Sequence, residues 1–343
     1  MTKYMQEPPF ACQIEFSEGC NLRCPFCGIN GIRDSKRTYK FMSLETASRI
    51  ATGIGELGWN CRTEFALHGE PTQNPETLKL LKIFRECMTK NYFLIETNGS
   101  GFLGKDSDDI TRKVLSYFEA GLDTIGLDEY QNVPWGNLVR TKVNREALTE
   151  AGITFHEYPS DPLGNPHQRT KQKRLVIIAP IDLADKGTHA ELNNHCGSGA
   201  PLDASMIHER CAKPFREISF RWDGSVSICC NSWDGLYQIG NIHEMSVSKI
   251  WQHPRFMAAR QKLLHKQRDF RPCLGCNNRS YRVGLLPDKF GKQTLPPPDA
   301  RTQKLIDEVI ALGPYTTPVP REWDRDYDKL LVQIETDKPK SFI

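Results

Sequence analysis

Two alternating patterns of apolar residues run through the first half of the chain. Short apolar runs between polar turns predict β-strands, and apolar residues at three- and four-residue spacing predict helices. The predicted strands are CQIEF (12–16), TEFAL (63–67), YFLIET (92–97), DTIGLD (123–128), TFHEY (154–158) and RLVIIAP (174–180). The predicted helices cover residues 43–57, 75–88, about 108–120 and about 137–151. This alternation indicates an α/β fold with a parallel sheet, and six units suit an open or partial barrel better than a complete eight-unit one.

The pattern changes after about residue 185, where cysteines become frequent. EISFRWDGSVSICC (217–230) predicts a hairpin that turns at Asp223-Gly224, and SVSKIWQHPRFMAARQKLLH (246–265) predicts a helix. LPPPD (295–299) predicts a linker. We therefore expect three regions: a core barrel over residues 10–185, a small cysteine-rich domain over 205–290, and a linker with a polar C-terminal tail over 291–343.

Composition narrows the class of protein only slightly. The 343 residues are 38% hydrophobic and 25% charged, and 45 basic against 42 acidic residues give a net charge of +3, as in ordinary globular proteins. No apolar run approaches the roughly 20 residues that cross a bilayer, and the N-terminus lacks a secretory signal, so we expect a cytoplasmic protein with no membrane partner. In a reducing compartment, twelve cysteines suggest metal or redox chemistry rather than disulfides.

Three of these cysteines form a tight group directly after the first predicted strand. EGCNLRCPFCGIN places Cys20, Cys24 and Cys27 at C-x3-C-x2-C spacing. Three thiolates can hold three irons of a [4Fe-4S] cubane and leave the fourth iron open to a cofactor or substrate. A structural zinc site needs four protein ligands, and the next candidates along the chain are Cys61 and His68. Zinc with a distant fourth ligand remains an alternative.

Together with Phe26, this triplet resembles the signature of the radical S-adenosylmethionine enzymes. HGEP (68–71), after the second strand, resembles the Gly-Gly-Glu-Pro segment of that family, with His68 in place of the first glycine. ETNG (96–99), after the third strand, resembles its Thr-Asn-Gly segment. The resemblance covers about residues 10–180 and implies a partial (β/α)6 barrel.

The resemblance also implies an activity and a set of site residues. A [4Fe-4S] cluster on the three cysteines would cleave S-adenosylmethionine reductively to a 5′-deoxyadenosyl radical, which abstracts hydrogen from an unactivated C–H bond. The electron would come from an external one-electron donor such as a flavodoxin or ferredoxin. Glu70 would receive the amino group of the methionine, and Asp128 would bond a ribose hydroxyl, although a helix N-cap is an equal alternative for Asp128. The full set of expected cofactor-binding residues is Phe26, Gly69, Glu70, Thr97, Asn98 and Asp128.

A second group of cysteines resembles the opening part of the SPASM domain and its shorter relative, the twitch domain. It consists of Cys211, Cys229, Cys273 and Cys276, with Gly224 five positions before Cys229. The resemblance implies an auxiliary [4Fe-4S] cluster, so we expect two clusters in all. Four thiolates also suit zinc, which remains an alternative. Cys230 adjoins Cys229 but should point to the opposite face of its strand, and we interpret Cys196 as a plain loop thiol.

Four cysteine ligands leave no open iron, so the auxiliary cluster would transfer electrons or shape the substrate pocket. The reaction is then an oxidation or a redox-neutral rearrangement of a peptide or a small molecule such as a polyol or aminosugar. Only about ten residues precede the first strand, which leaves no room there for a leader-binding region and weakens the peptide alternative. The substrate would lie near residues that end or follow the fourth and fifth strands, namely Glu129, Tyr130, His156 and Tyr158.

Two further functions stay open. Basic stretches at 169–174, 260–271 and 279–282 have aromatic neighbours and could contact phosphates, which would suit radical isomerisation of a modified base in DNA or another nucleic acid. A non-enzymatic alternative is a zinc-stapled binding module, in which both cysteine groups are structural.

Overall fold

The structure of the protein is a computed structural model. It describes residues 8–31, 38–131, 133–161, 164–182, 193–199, 206, 208–233, 235, 237–268, 270, 272–274 and 276–278. The expected linker, the C-terminal tail and the basic stretch at 279–282 lie outside these residues.

All six predicted strands of the first half are present, and the second unit adds three more to the same sheet. The strands are β1 (Ala11–Ile14), β2 (Ser17–Glu18), β3 (Lys40–Phe41), β4 (Arg62–Glu64), β5 (Tyr92–Thr97), β6 (Thr124–Gln131), β7 (Ile153–Tyr158), β8 (Lys173–Asp182), β9 (Glu217–Phe220), β10 (Ser225–Ser227) and β11 (Gln238–Asn241). Strands β2 and β3 pair separately as a two-stranded ribbon.

The predicted helices are also present, with two of them divided: the one near 137–151, and the one at 246–265, which divides before Pro254. They are α1 (Leu44–Glu56), α2 (Thr77–Cys87), α3 (Ser107–Glu119), α4 (Leu138–Lys142), α5 (Arg145–Glu150), α6 (Lys213–Arg216), α7 (Val247–Trp251) and α8 (Pro254–Leu264). The helix expected near 137–151 divides at Asn144, whose side chain caps α5. Ser43 caps α1 as its sequence indicates, by accepting from the Thr46 amide. Among the described residues, no helix is long and apolar enough to cross a membrane.

The nine-stranded sheet has the order β11-β10-β9-β1-β4-β5-β6-β8-β7. Strands β9 to β7 in this order are parallel, which confirms the α/β class expected from the sequence. The last two strands of the core are not in chain order, because β8 pairs with β6 and leaves β7 at the edge. The described residues between β7 and β8 contain no α-helix, so this connection differs from the helical ones before it.

The cysteine-rich unit is joined to the core through its first strand. Residues Ala11 to Ile14 of β1 pair in parallel with Glu217 to Phe220 of β9. The expected hairpin then turns at Gly224, whose φ of +80° favours glycine, and β10 returns antiparallel to β9. One continuous sheet therefore carries both cysteine groups.

Candidate active site

The cysteine loop is held against the end of the second core strand by backbone contacts. Gly19 and Gly69 form a parallel bridge, and the Glu70 amide donates to the Gly19 carbonyl at 2.9 Å. A Cβ atom at Gly69 would lie 2.4 Å from the carbonyl oxygens of Ser17 and Gly19. Only glycine fits this approach, so the HGEP segment and the loop that begins with Cys20 stay together.

Glu70 joins this segment to the end of the next strand. Its Oε1 accepts from the Thr72 amide at 3.0 Å and from the Thr97 hydroxyl at 2.6 Å, and its Oε2 accepts from the Asn98 amide at 2.8 Å. The side-chain nitrogen of Asn98 in turn lies 3.7 Å from Sγ of Cys20. Burial raises the pKa of Glu70 although these bonds lower it. The structure thus brings Glu70, Thr97 and Asn98 together beside the first cysteine.

The thiols of this loop need a cationic partner to ionise. Burial, with the charge of Glu70, raises the pKa of Cys20 to about 12, and burial with the charge of Cys27 raises that of Cys24 to about 12. The Leu22 amide donates to Sγ of Cys20 at 3.3 Å, and the Tyr130 hydroxyl bonds the Cys24 thiol. Bound cationic iron would favour the thiolates and offset the cost of burying them. The donor set therefore fits an iron–sulfur cluster.

Asp128 lies in an acidic part of the interior. Burial raises its pKa to about 8, with further contributions from the charges of Glu96 and Glu70. The carboxyl group is therefore largely neutral at pH 7 and can donate a hydrogen bond. Asp128 heads no helix, because β6 continues through it to Gln131. This outcome removes the helix N-cap alternative.

The four residues expected near the substrate do not lie together. Tyr130 faces the cysteine loop, where the charges of Cys24, Cys27 and Cys20 act on it. Glu129 points to the opposite face of β6 and forms an ion pair with Arg140 at 2.9 Å. Neighbouring residues on a strand alternate between faces, so Glu129 and Tyr130 cannot both face one pocket.

His156 and Tyr158 lie on the edge strand β7, apart from the cysteine loop. Nδ1 of His156 is 2.5 Å from the Asp161 carboxylate, and its Nε2 is 2.9 Å from the Thr154 hydroxyl. Gly164 packs over the same face, where an added Cβ would meet the Cβ atoms of both residues at 3.2 and 3.5 Å. The strand order places β8 between these two residues and β6, and the expectation that their side chains line the substrate site stays a prediction.

His68 is a functional candidate whose role the sequence did not reveal. It is fully buried, with Nδ1 2.7 Å from Oε1 of Glu15, and its Nε2 donates to the Cys230 carbonyl at 3.2 Å. The His68 ring packs on Trp233 with centroids 4.7 Å apart, and Trp233 also contacts His195 at 5.0 Å. The residue that replaces the glycine of the family pattern therefore links the strand-end site to the cysteine-rich unit.

The four cysteines of the second group also converge. All four are buried, and Cys273 is close enough to the other three for their charges to act on it. Burial raises the pKa of Cys211 to about 12, so this site too would need a cation to hold thiolates. Among the described residues, no three His, Cys, Asp or Glu side chains meet as they would around a single metal ion. Each cysteine of a cubane binds a different iron, so its ligands need not meet at one point.

Cys230 and Cys196, which lie outside the ligand set expected from the sequence, have different surroundings in the structure. Sγ of Cys230 accepts from Nζ of Lys213 at 3.0 Å. Because β10 ends at Ser227, Cys229 and Cys230 both follow the strand, and the expected strand alternation does not apply to them. The side chains of Cys229 and Cys276, together with burial, raise the pKa of the Cys196 thiol, so this thiol lies near the second cysteine group although it is outside the motif.

The basic stretch at 260–271 has a structural role. Arg268 is buried and donates to the carbonyls of Glu209, Arg210, Cys276 and Asn278, which joins the chain before Cys211 to the chain after Cys276. Arg260 is also buried and bonds the Pro214 carbonyl at 2.7 Å, and Lys262 is buried as well. These cations cannot contact phosphates, which corrects part of the nucleic-acid interpretation. The stretch at 169–174 keeps exposed Arg169, Lys171 and Lys173.

Comparison with known proteins agrees with this geometry. Residues 14–132 match the family model of the radical SAM superfamily, and residues 211–277 match that of an iron-sulfur cluster-binding domain, SPASM. Residues 14–132 therefore form a radical SAM domain, and residues 211–277 form an iron-sulfur cluster-binding domain. Domains of these two families use iron–sulfur clusters and, in the first, S-adenosylmethionine.

Solved structures show the same fold. BtrN in complex with AdoMet and 2-DOIA is 19% identical, with a TM-score of 0.56 over 80% of this chain and 95% of that chain. SeMet BtrN in an open conformation is 16% identical, with a TM-score of 0.53 over 79% of this chain and 94% of BtrN. No curated protein sequence matches the chain.

Proposed function

We propose that the protein cleaves S-adenosylmethionine reductively and abstracts hydrogen from an unactivated C–H bond of its substrate. The observation that supports this most directly is the convergence of Glu70, Thr97 and Asn98 on Cys20. Oε2 of Glu70 accepts one hydrogen bond from the described residues and can accept another. Because Glu70 lies beside a cysteine of the cluster loop, this oxygen would suit the ammonium group of a cofactor bound at the cluster.

The residues of the chain have separate parts in this proposal. Cys20, Cys24 and Cys27 hold the first cluster, which with S-adenosylmethionine supplies the one-electron cleavage and the hydrogen abstraction. Gly69 and Glu70 receive the amino group, because Oε2 of Glu70 accepts only one bond from the described residues. Neutral Asp128 can donate to a ribose oxygen. Half-buried Tyr130 lies against the loop and helps to exclude water from it.

Cys211, Cys229, Cys273 and Cys276 hold the auxiliary cluster in this proposal. Because four thiols surround it, the cluster is suited to one-electron transfer rather than to substrate binding. The reaction is accordingly an oxidation, in which the auxiliary cluster accepts an electron, or a rearrangement without net electron transfer. An external protein such as a flavodoxin or ferredoxin supplies the electron that starts the cleavage.

We propose a peptide or a small molecule as the substrate. The small-molecule class is favoured by the shared fold with BtrN, whose structure holds 2-DOIA, and by the single group of four auxiliary cysteines. Modification of a base in nucleic acid is the second candidate, supported by the exposed basic residues at 169–173.

Anaerobic incubation with a reductant tests the proposal. The wild-type protein should form 5′-deoxyadenosine, and the variant with Cys20, Cys24 and Cys27 all changed to alanine should not. Cys87→Ala is the matched control, because Cys87 lies on α2 away from both cysteine groups and its loss should leave the product unchanged. Cofactor cleavage by the triple variant would overturn the assignment.

A second measurement addresses the substrate and the zinc alternative. Deuterium should pass from a labelled substrate into 5′-deoxyadenosine when candidate small molecules, peptides and DNA are offered in turn. Metal analysis of the same preparation should find iron, whereas two zinc ions per chain without iron would support the binding module and contradict the enzyme.

A further inference from the structure

The chain directly after β5 is held by side chains that follow the strands on both sides of it. The ladder between β5 and β6 ends at the pair Thr97 and Leu127. Beyond this pair, the Asn98 amide donates to Oε2 of Glu70 at 2.8 Å, and the Asn98 carbonyl accepts from Nε1 of Trp135 at 3.1 Å. Two side chains therefore provide, for the backbone of Asn98, the kind of bonds that the ladder provides within the sheet.

Asn98 also contacts the first cysteine loop. Its side-chain nitrogen donates to Oδ1 of Asn21 at 2.9 Å and lies 3.7 Å from Sγ of Cys20. Asn98 and Glu70 are both buried, so their polar groups depend on these protein partners. Asn98 therefore connects Glu70 to the cysteine loop, and a group that fixes the backbone of Asn98 affects both.

Trp135 is held in place by a tight turn after β6. The Gly136 amide donates to the Val133 carbonyl at 3.1 Å, and the Leu138 amide donates to the Trp135 carbonyl at 3.0 Å. A Cβ atom at Gly136 would lie 2.1 Å from the Tyr130 carbonyl oxygen, so only glycine lets the turn fold back this closely onto the end of β6. Trp135 is half-buried, and its indole N–H reaches the end of β5.

We propose that Trp135 is a positioning residue for the amino group of S-adenosylmethionine. Its indole N–H fixes the backbone of Asn98, and the Asn98 amide holds Oε2 of Glu70 in the orientation that receives the ammonium group. A buried carbonyl that loses its donor is destabilised, so without the indole N–H the backbone of Asn98 would move to find another partner. Such a movement would misplace Glu70, because the same residue bonds it.

This inference rests on the proposed function, since it requires S-adenosylmethionine to bind beside Cys20. It adds to that function a residue outside the HGEP and ETNG segments. Trp135 acts on Glu70 through Asn98, so its effect should follow the ammonium group of a ligand and not the adenosine part. Two related ligands separate these parts, because S-adenosylhomocysteine keeps the ammonium group and 5′-methylthioadenosine lacks it.

The test measures ligand affinity by anaerobic equilibrium dialysis with the iron-loaded full chain and no reductant, so that the cofactor binds and is not cleaved. Trp135→Phe keeps an aromatic ring and removes the N–H donor. It should raise the Kd for S-adenosylmethionine and for S-adenosylhomocysteine by the same factor, about three- to tenfold, as the loss of one hydrogen bond predicts. The Kd for 5′-methylthioadenosine and the iron content should not change. Trp59→Phe is the matched control, because Trp59 packs on Trp251, and it should leave all three affinities unchanged.

Four other outcomes overturn the inference. The first is an unchanged affinity of Trp135→Phe for S-adenosylmethionine, and the second is unequal losses with the two ligands that carry the ammonium group. The third is an equal loss with 5′-methylthioadenosine, which would mean that the indole acts on the adenosine part or on the whole site. The fourth is loss of iron in Trp135→Phe, which would assign Trp135 to the support of the cysteine loop. Failure of the iron-loaded wild-type protein to bind S-adenosylmethionine is a separate result, which would overturn the proposed function and the inference with it.

Discussion

A buried histidine needs a hydrogen-bond partner for each ring nitrogen, because an unpaired buried polar group costs about 1–3 kcal/mol. Nε2 of His68 bonds the Cys230 carbonyl, and Nδ1 lies 2.7 Å from the Glu15 carboxylate as an ion pair. Burial works to raise the pKa of Glu15, but the charges of His68 and Arg221 outweigh it and hold the pKa below 4.5. The ionised carboxylate and the histidine therefore stabilise each other.

Replacement of His68 should therefore lower the free energy of unfolding by more than the loss of its packing contacts alone would. We expect His68→Leu to lower the free energy of unfolding by roughly 3–5 kcal/mol, because Glu15 is left buried with only Arg221, at 3.9 Å, as a cation. Denaturant titration measures this, and Glu15→Gln combined with His68→Leu should recover part of the loss. Glu45→Gln, which breaks the exposed pair with Arg49, is the control and should cost less than about 1 kcal/mol. Equal losses in the two single variants would contradict the role of burial.

Asp128 should make stability depend on pH in the opposite sense to an ion-paired carboxylate. Its pKa is about 8 in the folded chain against 3.8 without burial, so the folded chain binds the extra proton and loses stability as pH rises from about 4 to 8. Asp128→Asn removes this loss. In the absence of S-adenosylmethionine, the variant should melt above the wild type at pH 8, with a difference on the order of a few kcal/mol that vanishes near pH 4. A constant difference in melting temperature would show that Asp128 does not titrate in this way.

At the residue scale, local sequence predicted the chemistry better than the direction of side chains. The cysteine triplet, Glu70 and the Thr97-Asn98 pair were identified by their resemblance to family motifs, and the structure places them near the ends of parallel strands. Glu129 was misplaced because a shift of one residue along β6 reverses the face, and the pattern of apolar residues does not fix the last residues of a strand.

At the scale of elements, the sequence predicted the six strands of the core and the helices between them, but not the order of the strands or the short elements β2, β3, β11 and α6. Periodicity reports which residues of a segment are buried, whereas the pairing of β8 with β6 depends on contacts distant in sequence. The described residues of the connection at 159–172 form no α-helix, and nothing in the local sequence distinguished β7 as an edge strand. The placement of His156 and Tyr158 followed from that order and could not be predicted without it.

The guanidinium group of Arg268 holds together the two segments that flank the auxiliary cysteines. Arg268 donates to four carbonyls on two separate segments, and a lysine ammonium cannot reproduce that planar arrangement. Arg268→Lys should therefore lower the iron content from about eight to about four atoms per chain, by loss of the auxiliary cluster. The first cluster should remain, and 5′-deoxyadenosine should still form.

The control for this change is Lys171→Ala, an exposed residue of the other basic stretch, which should keep all the iron. Retention of about eight irons by Arg268→Lys would show that the four carbonyl contacts do not hold the auxiliary segments in place.

At the scale of the whole molecule, the two cysteine groups share one sheet. The shift in composition near residue 185 predicted two units, and the family models match two separate ranges. The parallel pairing of β9 with β1 could not be predicted, because it joins segments about 200 residues apart through backbone bonds that leave no pattern in the side chains. The first cysteine loop follows β1 and the short strand β2. Because β1 pairs with β9, the hairpin of the auxiliary unit supports the strand that leads into this loop.

This arrangement predicts an unequal response to the loss of each cysteine group. The first group lies in a loop beyond β1, and its change to alanine should leave strand pairing intact and about four irons in the auxiliary site. The second group flanks the β9–β10 hairpin, so the change of Cys211, Cys229, Cys273 and Cys276 to alanine should loosen β9 and with it β1. That variant should hold fewer than about four irons and melt at a lower temperature than the first, in one transition rather than two. Iron analysis and thermal unfolding followed by circular dichroism measure both effects. Two variants with equal iron and equal melting temperatures would mean that the shared sheet does not couple the units.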